Sequence, residues 1–203
     1  MSATSTRDMV ARLAPTDPEG AAKLARSIDE PWFRSQALAW AARFSTEERL
    51  EPLLQEALHA CHSAIDRYRP VAIAAWPLRA LVERGRVAAA TRMLDDILVL
   101  APEVEPPASR AEALFLVWQA IFPLGVDARK KVLDVLLTNC RPEESWRIGR
   151  IFHDIAWMLS ASDPKAVERI LAALPDGRWK RQAERRVAGG DPLKPRIFFW
   201  DAV

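Results

Sequence analysis

The sequence predicts an all-α fold, an αα-superhelix of about five stacked helical hairpins followed by an apolar, non-helical C-terminal tail. An aromatic residue, an Arg shortly after it and a Trp recur at intervals of about 35 to 42 residues. No stretch alternates apolar and polar residues for long enough to predict a strand. A repeat of this length is typical of stacked hairpins, none of which buries its apolar face alone. The repeated tryptophans are Trp40, Trp76, Trp118 and Trp157, and the leading arginines are Arg34, Arg69, Arg110 and either Arg147 or Arg150.

Helix starts in the first half are predicted from capping residues. Asp17 is followed by Pro and Glu, which favours a helix because Asp caps free amides and Pro tolerates the first turn. A second helix is predicted to begin at Pro31, with Trp40 on its apolar face. Ser45 and Glu48 have the spacing of a capping box for the next helix. Gly85 predicts a left-handed turn at a helix end.

The second half repeats these signals. Helix starts are predicted at Ser109, Asp127, Pro142, Asp163 and Asp176. The second helices of the five hairpins are then expected to begin near residues 31, 70, 108, 142 and 176. We therefore expect a single domain over residues 1–203, with helical repeats over 16–188 and a tail over 189–203.

Two segments carry a resemblance to a known class of repeats. DPEGAAKLARSIDEPWFRSQALAWAA and, more loosely, DPKAVERILAALPDGRWKRQA resemble the degenerate α–α repeats of the tetratricopeptide and HEAT-like superfamily. The resemblance covers most of residues 16–188 and implies a scaffold that binds other molecules. The paired Gly and Tyr of the stricter tetratricopeptide pattern are absent, so no binding residue is transferred from the family.

The charge, the apolar runs and the cysteines of the sequence argue against several classes of function. A net charge of +2 argues against capture of nucleic acid by charge alone. No targeting peptide is visible, and no apolar run approaches the 18 or so residues of a membrane span. Cys61 and Cys140 lie far apart in apolar helical settings, which favours buried free thiols in a reducing cytoplasm. A cytoplasmic location is therefore expected.

No catalytic, cofactor-binding or metal-binding residue is predicted. His59, His62 and Asp66 share one helix face, as metal ligands would, but no further Cys or His completes a closed site, so a solvated polar face is favoured. His153 and Asp154 are adjacent on a helix, where neighbouring side chains diverge, and the sequence alone does not make them a catalytic pair. Glycine-rich phosphate loops and nucleophile elbows are absent from the sequence.

The Arg and Trp series admit two interpretations. The favoured one places each Arg at the start of a second helix, bonded to free carbonyls or acids of the adjacent hairpin, with each repeated Trp in the core. The alternative is a column of guanidinium groups for an acidic peptide or a phosphate backbone. Candidate partner-binding residues are the aromatics that begin helices and their nearby arginines: Trp32, Arg34, Trp146, Arg147, Trp179 and Arg181.

The tail, GGDPLKPRIFFWDAV, is predicted to fold back on its own chain. Two prolines preclude a helix through its middle, and residues 197–200 are too apolar to remain in water. The expected contact is the face of the last hairpin around Leu171, Leu174 and Val187. A docking peptide for another chain is the alternative.

Three functions are compatible with these features. The favoured one is a non-catalytic module that binds a protein or peptide. The second is a nucleic-acid-binding protein, because HEAT-like scaffolds include proteins that grip DNA with a basic face. The third is a small helical enzyme with a carboxylate site between hairpins. Neither a cofactor nor a membrane partner is expected.

Overall fold

The structure, a computed structural model, describes residues 2–62 and 67–200, with the side chains of residues 61 and 62 excluded. Within this part of the chain all regular structure is helical, which confirms the all-α fold class. The α-helices are α1 (Ala3–Leu13), α2 (Pro18–Arg26), α3 (Pro31–Phe44), α4 (Glu47–His62), α5 (Tyr68–Ile73), α6 (Ala75–Glu83), α7 (Val87–Leu100), α8 (Pro107–Ile121), α9 (Val126–Asn139), α10 (Trp146–Leu159), α11 (Pro164–Ala173) and α12 (Arg178–Ala188). Three short 3-10 helices span Ala101–Glu103, Phe122–Leu124 and Pro142–Glu144.

The two Asp-Pro helix starts are confirmed. The Oδ1 atom of Asp17 accepts a hydrogen bond from the backbone N–H of Gly20 at 2.8 Å, and Asp163 accepts one from Ala166 at 3.1 Å. Gly85 adopts a φ of 68° after α6, as a left-handed turn requires. Local sequence therefore sets these boundaries directly.

Other predicted starts are displaced. Ser45 ends α3 rather than starting α4, because its hydroxyl donates to the Ala42 carbonyl at 2.9 Å. Glu48 bonds its own backbone N–H and Thr46, and these bonds lower the pKa of its carboxyl group. Ser109 lies inside α8, and Pro142 begins a 3-10 helix ahead of α10.

The last helix also begins later than predicted. Gly177 precedes α12 at the cap position, and Asp176 forms an ion pair with Lys180 at 2.9 Å instead of capping the helix. In each of these cases several capping-type residues or prolines lie close together, so the sequence alone does not decide which of them begins the helix.

The chain divides into two compact units. One comprises Met1–Ile97 together with Ile197–Val203, and the other comprises Leu98–Arg196. In the first unit α3 packs against α1, α2, α4 and α6; in the second, α8 packs against α9 and α10, and α10 packs also against α11 and α12. Within the units the closely packed pairs include α3–α4, α8–α9 and α10–α11.

Three of the four repeated tryptophans lie in the core, as predicted. Trp40, Trp76 and Trp118 are buried, and Trp157 is half-buried. Cys140 is also buried, and burial raises the pKa of its thiol to about 12. The thiol therefore remains protonated and unreactive at neutral pH. The side chain of Cys61 lies outside the described residues.

The structural role of the repeated arginines is confirmed for two of the four. Nη1 of Arg110 donates to the Asn139 carbonyl at 2.7 Å, and Arg147 lies 3.8 Å from Glu112 of α8. Arg84, which the repeat pattern did not indicate, has the same role. Its Nη1 donates to three carbonyls at the end of α3, those of Ala42, Arg43 and Ser45, at 3.3, 3.0 and 2.9 Å. Arginines of this kind satisfy helix ends that lack backbone partners.

No helix in the described part of the chain combines the length and apolarity that crossing a membrane requires.

Candidate functional site

Part of the C-terminal tail lies against an aromatic surface of the first unit. Phe198 and Phe199 are buried, with exposed fractions of 2% and 6%. The Phe198 ring meets Trp76 edge to face at a centroid distance of 5.3 Å, and Phe199 meets Trp40 at 5.0 Å. Ile197, by contrast, is 76% exposed.

The predicted contact for these residues, around Leu171, Leu174 and Val187, is therefore wrong. Leu174 is already buried within its own unit. Trp40 and Trp76 also offer edge-to-face partners, which aliphatic side chains do not provide.

Two arginines complete the surface that holds the tail. The Arg43 guanidinium lies 4.4 Å from the Phe199 ring centroid while its Nε bonds Glu83 at 2.7 Å. Arg7 lies 5.1 Å from the Trp200 ring. We call the set Arg7, Trp40, Arg43 and Trp76 the tail surface. Cation–π contacts of this kind add to the burial of the rings and favour aromatic ligands.

A second site is a cavity whose described lining residues belong to α10 and α12 of the second unit. It has a volume of about 390 Å³ and is lined by His153, Gln182, Arg185 and Arg186. We call it the α10–α12 cavity. Two guanidinium groups, an amide and an imidazole give it a polar and basic lining.

One hydrogen bond in this region was not predicted from the sequence. Nδ1 of His153 lies 2.8 Å from Oδ1 of Asp154, so the adjacent residues form a hydrogen-bonded pair. Nδ1 is the ring nitrogen nearer the backbone. It can therefore reach the carboxylate of the next residue, although the Cβ atoms of the two residues point in different directions. His153 is buried beside this carboxylate.

Both arginines of the cavity are held by other groups. The Arg186 guanidinium lies 4.3 Å from the ring of Trp157, and the indole N–H of Trp157 donates to the Asp191 carbonyl. Nε of Arg185 donates to the Arg181 carbonyl at 3.2 Å. Among the described residues, neither Arg185 nor Arg186 forms an ion pair with an acid.

The sequence signal for this cavity was the composition of α12. The helix contains five basic residues and one acid, Glu184. That imbalance was visible in the sequence, but the pairing of α12 with α10 was not.

The six candidate partner-binding residues are divided between the two units. Trp32 and Arg34 belong to the first unit. Trp32 is half-buried and stacks on Tyr68 at a centroid distance of 6.3 Å, and the Nε of Arg34 is buried without a hydrogen-bond partner among the described residues. Trp32 thus contributes to packing.

The other four residues belong to the second unit. Trp146 is 61% exposed, with the guanidinium of Arg147 at 5.9 Å from its ring. Trp179 is half-buried against α10, and Arg181 is exposed. Their role in binding a partner stays a prediction.

Gly149 permits the contact between α10 and Trp179. A Cβ at this position would lie 2.6 Å from Cδ1 of Trp179. We expect Gly149→Ala to destabilise the protein by about 1 to 3 kcal/mol, because the clash outweighs the roughly 1 kcal/mol gained in helix propensity. Urea unfolding would measure this, and Gly149→Ala combined with Trp179→Ala should recover the propensity gain. A single Ala variant more stable than wild type would contradict the contact.

Across residues 2–62 and 67–200, no cluster of three or more His, Cys, Asp or Glu is placed to hold a metal ion. The predicted polar face of His59, His62 and Asp66 lies partly outside the described residues.

Comparison with known proteins gives no match: no family model fits the sequence, and neither a curated protein nor a solved structure shows significant similarity to it.

Proposed function

We propose that the protein is a non-catalytic helical-repeat module that binds an aromatic-rich peptide segment of a partner protein at the tail surface. A single observation supports this proposal: a non-helical segment, Phe198–Trp200, is held there by ring contacts and cations. In this proposal the chain's own tail occupies the site until a partner segment replaces it. The tetratricopeptide or HEAT-like affiliation is part of the same proposal.

The chemistry of the surface sets the ligand class. Two tryptophan edges and two guanidinium groups attract aromatic rings, and this attraction depends little on the residues that flank the rings in the bound segment. Burial of each Phe ring contributes about 1.5 to 3 kcal/mol. A partner segment with two consecutive aromatic residues would reproduce the contacts of Phe198 and Phe199.

The tail competes from within the same chain. A short tether gives a bound segment an effective concentration of roughly millimolar. A free peptide must therefore bind tightly or meet a chain whose tail has been released.

The test uses the full-length Phe198→Ala/Phe199→Ala variant and a fluorescent peptide of residues 191–203. We expect the peptide to bind this variant at least tenfold more tightly than wild type, because the intramolecular competitor is weakened. Fluorescence anisotropy would measure both affinities. Ile197→Ala is the matched control, because that side chain is exposed, and it should behave as wild type.

Equal binding by a peptide that itself carries both Phe→Ala changes would contradict the proposal. So would the absence of saturable binding to the double variant.

Nucleic-acid binding is the second candidate function, favoured by α12 alone. In the first unit arginines are paired with acids, as in Arg26–Glu56 and Arg84–Glu47. On α12, Arg181, Arg185 and Arg186 have no acid partner among the described residues. Such a surface would bind phosphates along its whole length, with a strong dependence on salt.

A further inference from the structure

We propose that the α10–α12 cavity binds the phosphate group of a small phosphate monoester, with Arg185 and Arg186 as the anion-binding groups and Gln182 and His153 as the other lining groups. The proposal is independent of the tail surface. It concerns a different unit and a different ligand class.

The charge of the cavity comes from two permanently protonated side chains. Guanidinium groups match phosphate oxygens in a planar, two-pronged geometry. Lys180, on the same helix, is neutralised by Asp176 at 2.9 Å, whereas Arg185 and Arg186 have no acid partner within the described residues. Positive charge is therefore left unmatched at the cavity itself.

The two arginines are also positioned before a ligand arrives. Arg186 rests on the ring of Trp157, and that ring is fixed by its hydrogen bond to the Asp191 carbonyl. Arg185 uses Nε for the Arg181 carbonyl, which leaves its two terminal nitrogens for a ligand. Side chains held in place lose less entropy on binding.

The helices α10 and α12, both within the described part of the chain, contain one acid each, and neither acid forms an ion pair with Arg185 or Arg186. Asp154 is hydrogen-bonded to Nδ1 of His153 and is half-buried beside that ring. Glu184 is exposed on α12 between Gln182 and Arg185 in sequence. Consecutive helix positions diverge, so Glu184 does not share a face with Arg185.

The remaining groups and the size favour an ester over the bare ion. Gln182 and His153 can each donate or accept a hydrogen bond, as the hydroxyl groups of a sugar or polyol require. The cavity of about 390 Å³ lies within the range of roughly 300 to 1,000 Å³ that small-molecule sites occupy. It thus leaves room for an organic body beside the phosphate.

The test is calorimetric titration of the full-length protein with ribose 5-phosphate, inorganic phosphate and ribose at low ionic strength. We expect saturable binding of ribose 5-phosphate, weaker binding of inorganic phosphate, and none of ribose. Arg186→Gln should weaken ester binding at least tenfold. Arg186→Lys should also weaken it several-fold, because Lys keeps the charge and loses the planar fork.

Arg181→Gln is the matched control. It removes the same charge from the same helix at an exposed residue that does not line the cavity, and it should change the affinity less than twofold. Arg185→Gln provides a second test of the cavity should Arg186→Gln disturb the Trp157 contact.

Four results would overturn the proposal. Absence of saturable ester binding would show that the cavity does not bind a phosphate monoester. Binding of ribose as tight as that of ribose 5-phosphate would show that the phosphate group is not recognised. Inorganic phosphate binding as tightly as the ester would make this a free-phosphate site. Equal losses of ester affinity in Arg181→Gln and Arg186→Gln, together with competition by a single-stranded oligonucleotide, would indicate an extended nucleic-acid-binding surface instead of a site in the cavity.

Discussion

Replacing Trp118 with Ala is expected to lower the free energy of unfolding by about 3 to 5 kcal/mol, the usual cost of removing a large core aromatic. The Trp118 side chain is fully buried in α8 and meets Phe122 edge to face at 6.4 Å. Removal of the indole leaves a cavity that the surrounding helices fill only in part. Urea unfolding followed by circular dichroism would measure the loss.

Two variants separate packing from hydrogen bonding at this position. The indole N–H of Trp118 is buried without a partner among the described residues, so Trp118→Phe removes an unsatisfied donor and should cost far less than Trp118→Ala. Trp146→Ala is the surface control and should stay within about 0.5 kcal/mol of wild type. Comparable losses for Trp118→Ala and Trp146→Ala would contradict the assignment of Trp118 to the core.

Release of the tail should have the second largest effect. We expect Phe198→Ala/Phe199→Ala to destabilise the first unit by about 3 kcal/mol, because two buried rings lose their contacts at once. The exposed Trp40 and Trp76 edges should then increase the binding of a hydrophobic dye. Thermal unfolding and dye fluorescence would provide the two measurements.

The single variants test whether the tail binds as one segment. If Phe198→Ala alone detaches it, the loss will approach that of the double variant, so the two effects will be strongly non-additive. Ile197→Ala should have little effect. A double variant as stable as wild type, with no added dye binding, would mean that the ring contacts do not stabilise the fold.

The elements predicted correctly are those governed by nearby residues. Asp17 and Asp163 bind amides three residues away, and the apolar positions of Trp40 and Trp118 follow from helical spacing. Ser45 was assigned to the wrong helix because Thr46 stands beside it. Either residue has the chemistry of a cap, and only the packing of α3 and α4 decides between them.

The candidate sites depend on residues far apart in the chain. Phe199 meets Trp40, and no local pattern indicates that pairing. The basic character of α12 was readable from the sequence, whereas the stacking of Arg186 on Trp157 depends on how α12 crosses α10. The His153–Asp154 bond depends on side-chain rotation rather than on helix geometry.

The division of the chain has a consequence for synthesis. Met1–Ile97 and Ile197–Val203 belong to the same unit, so one part of that unit is translated before the second unit and the other part after it. Ribosomes add about 5 to 20 residues per second, so the nascent chain waits roughly 5 to 20 s between Ile97 and Ile197. During that interval the rings of Trp40 and Trp76 lack Phe198 and Phe199. The nascent protein thus presents an aromatic surface to chaperones until Phe198 and Phe199 have been synthesised, and a chain terminated before them would present that surface permanently.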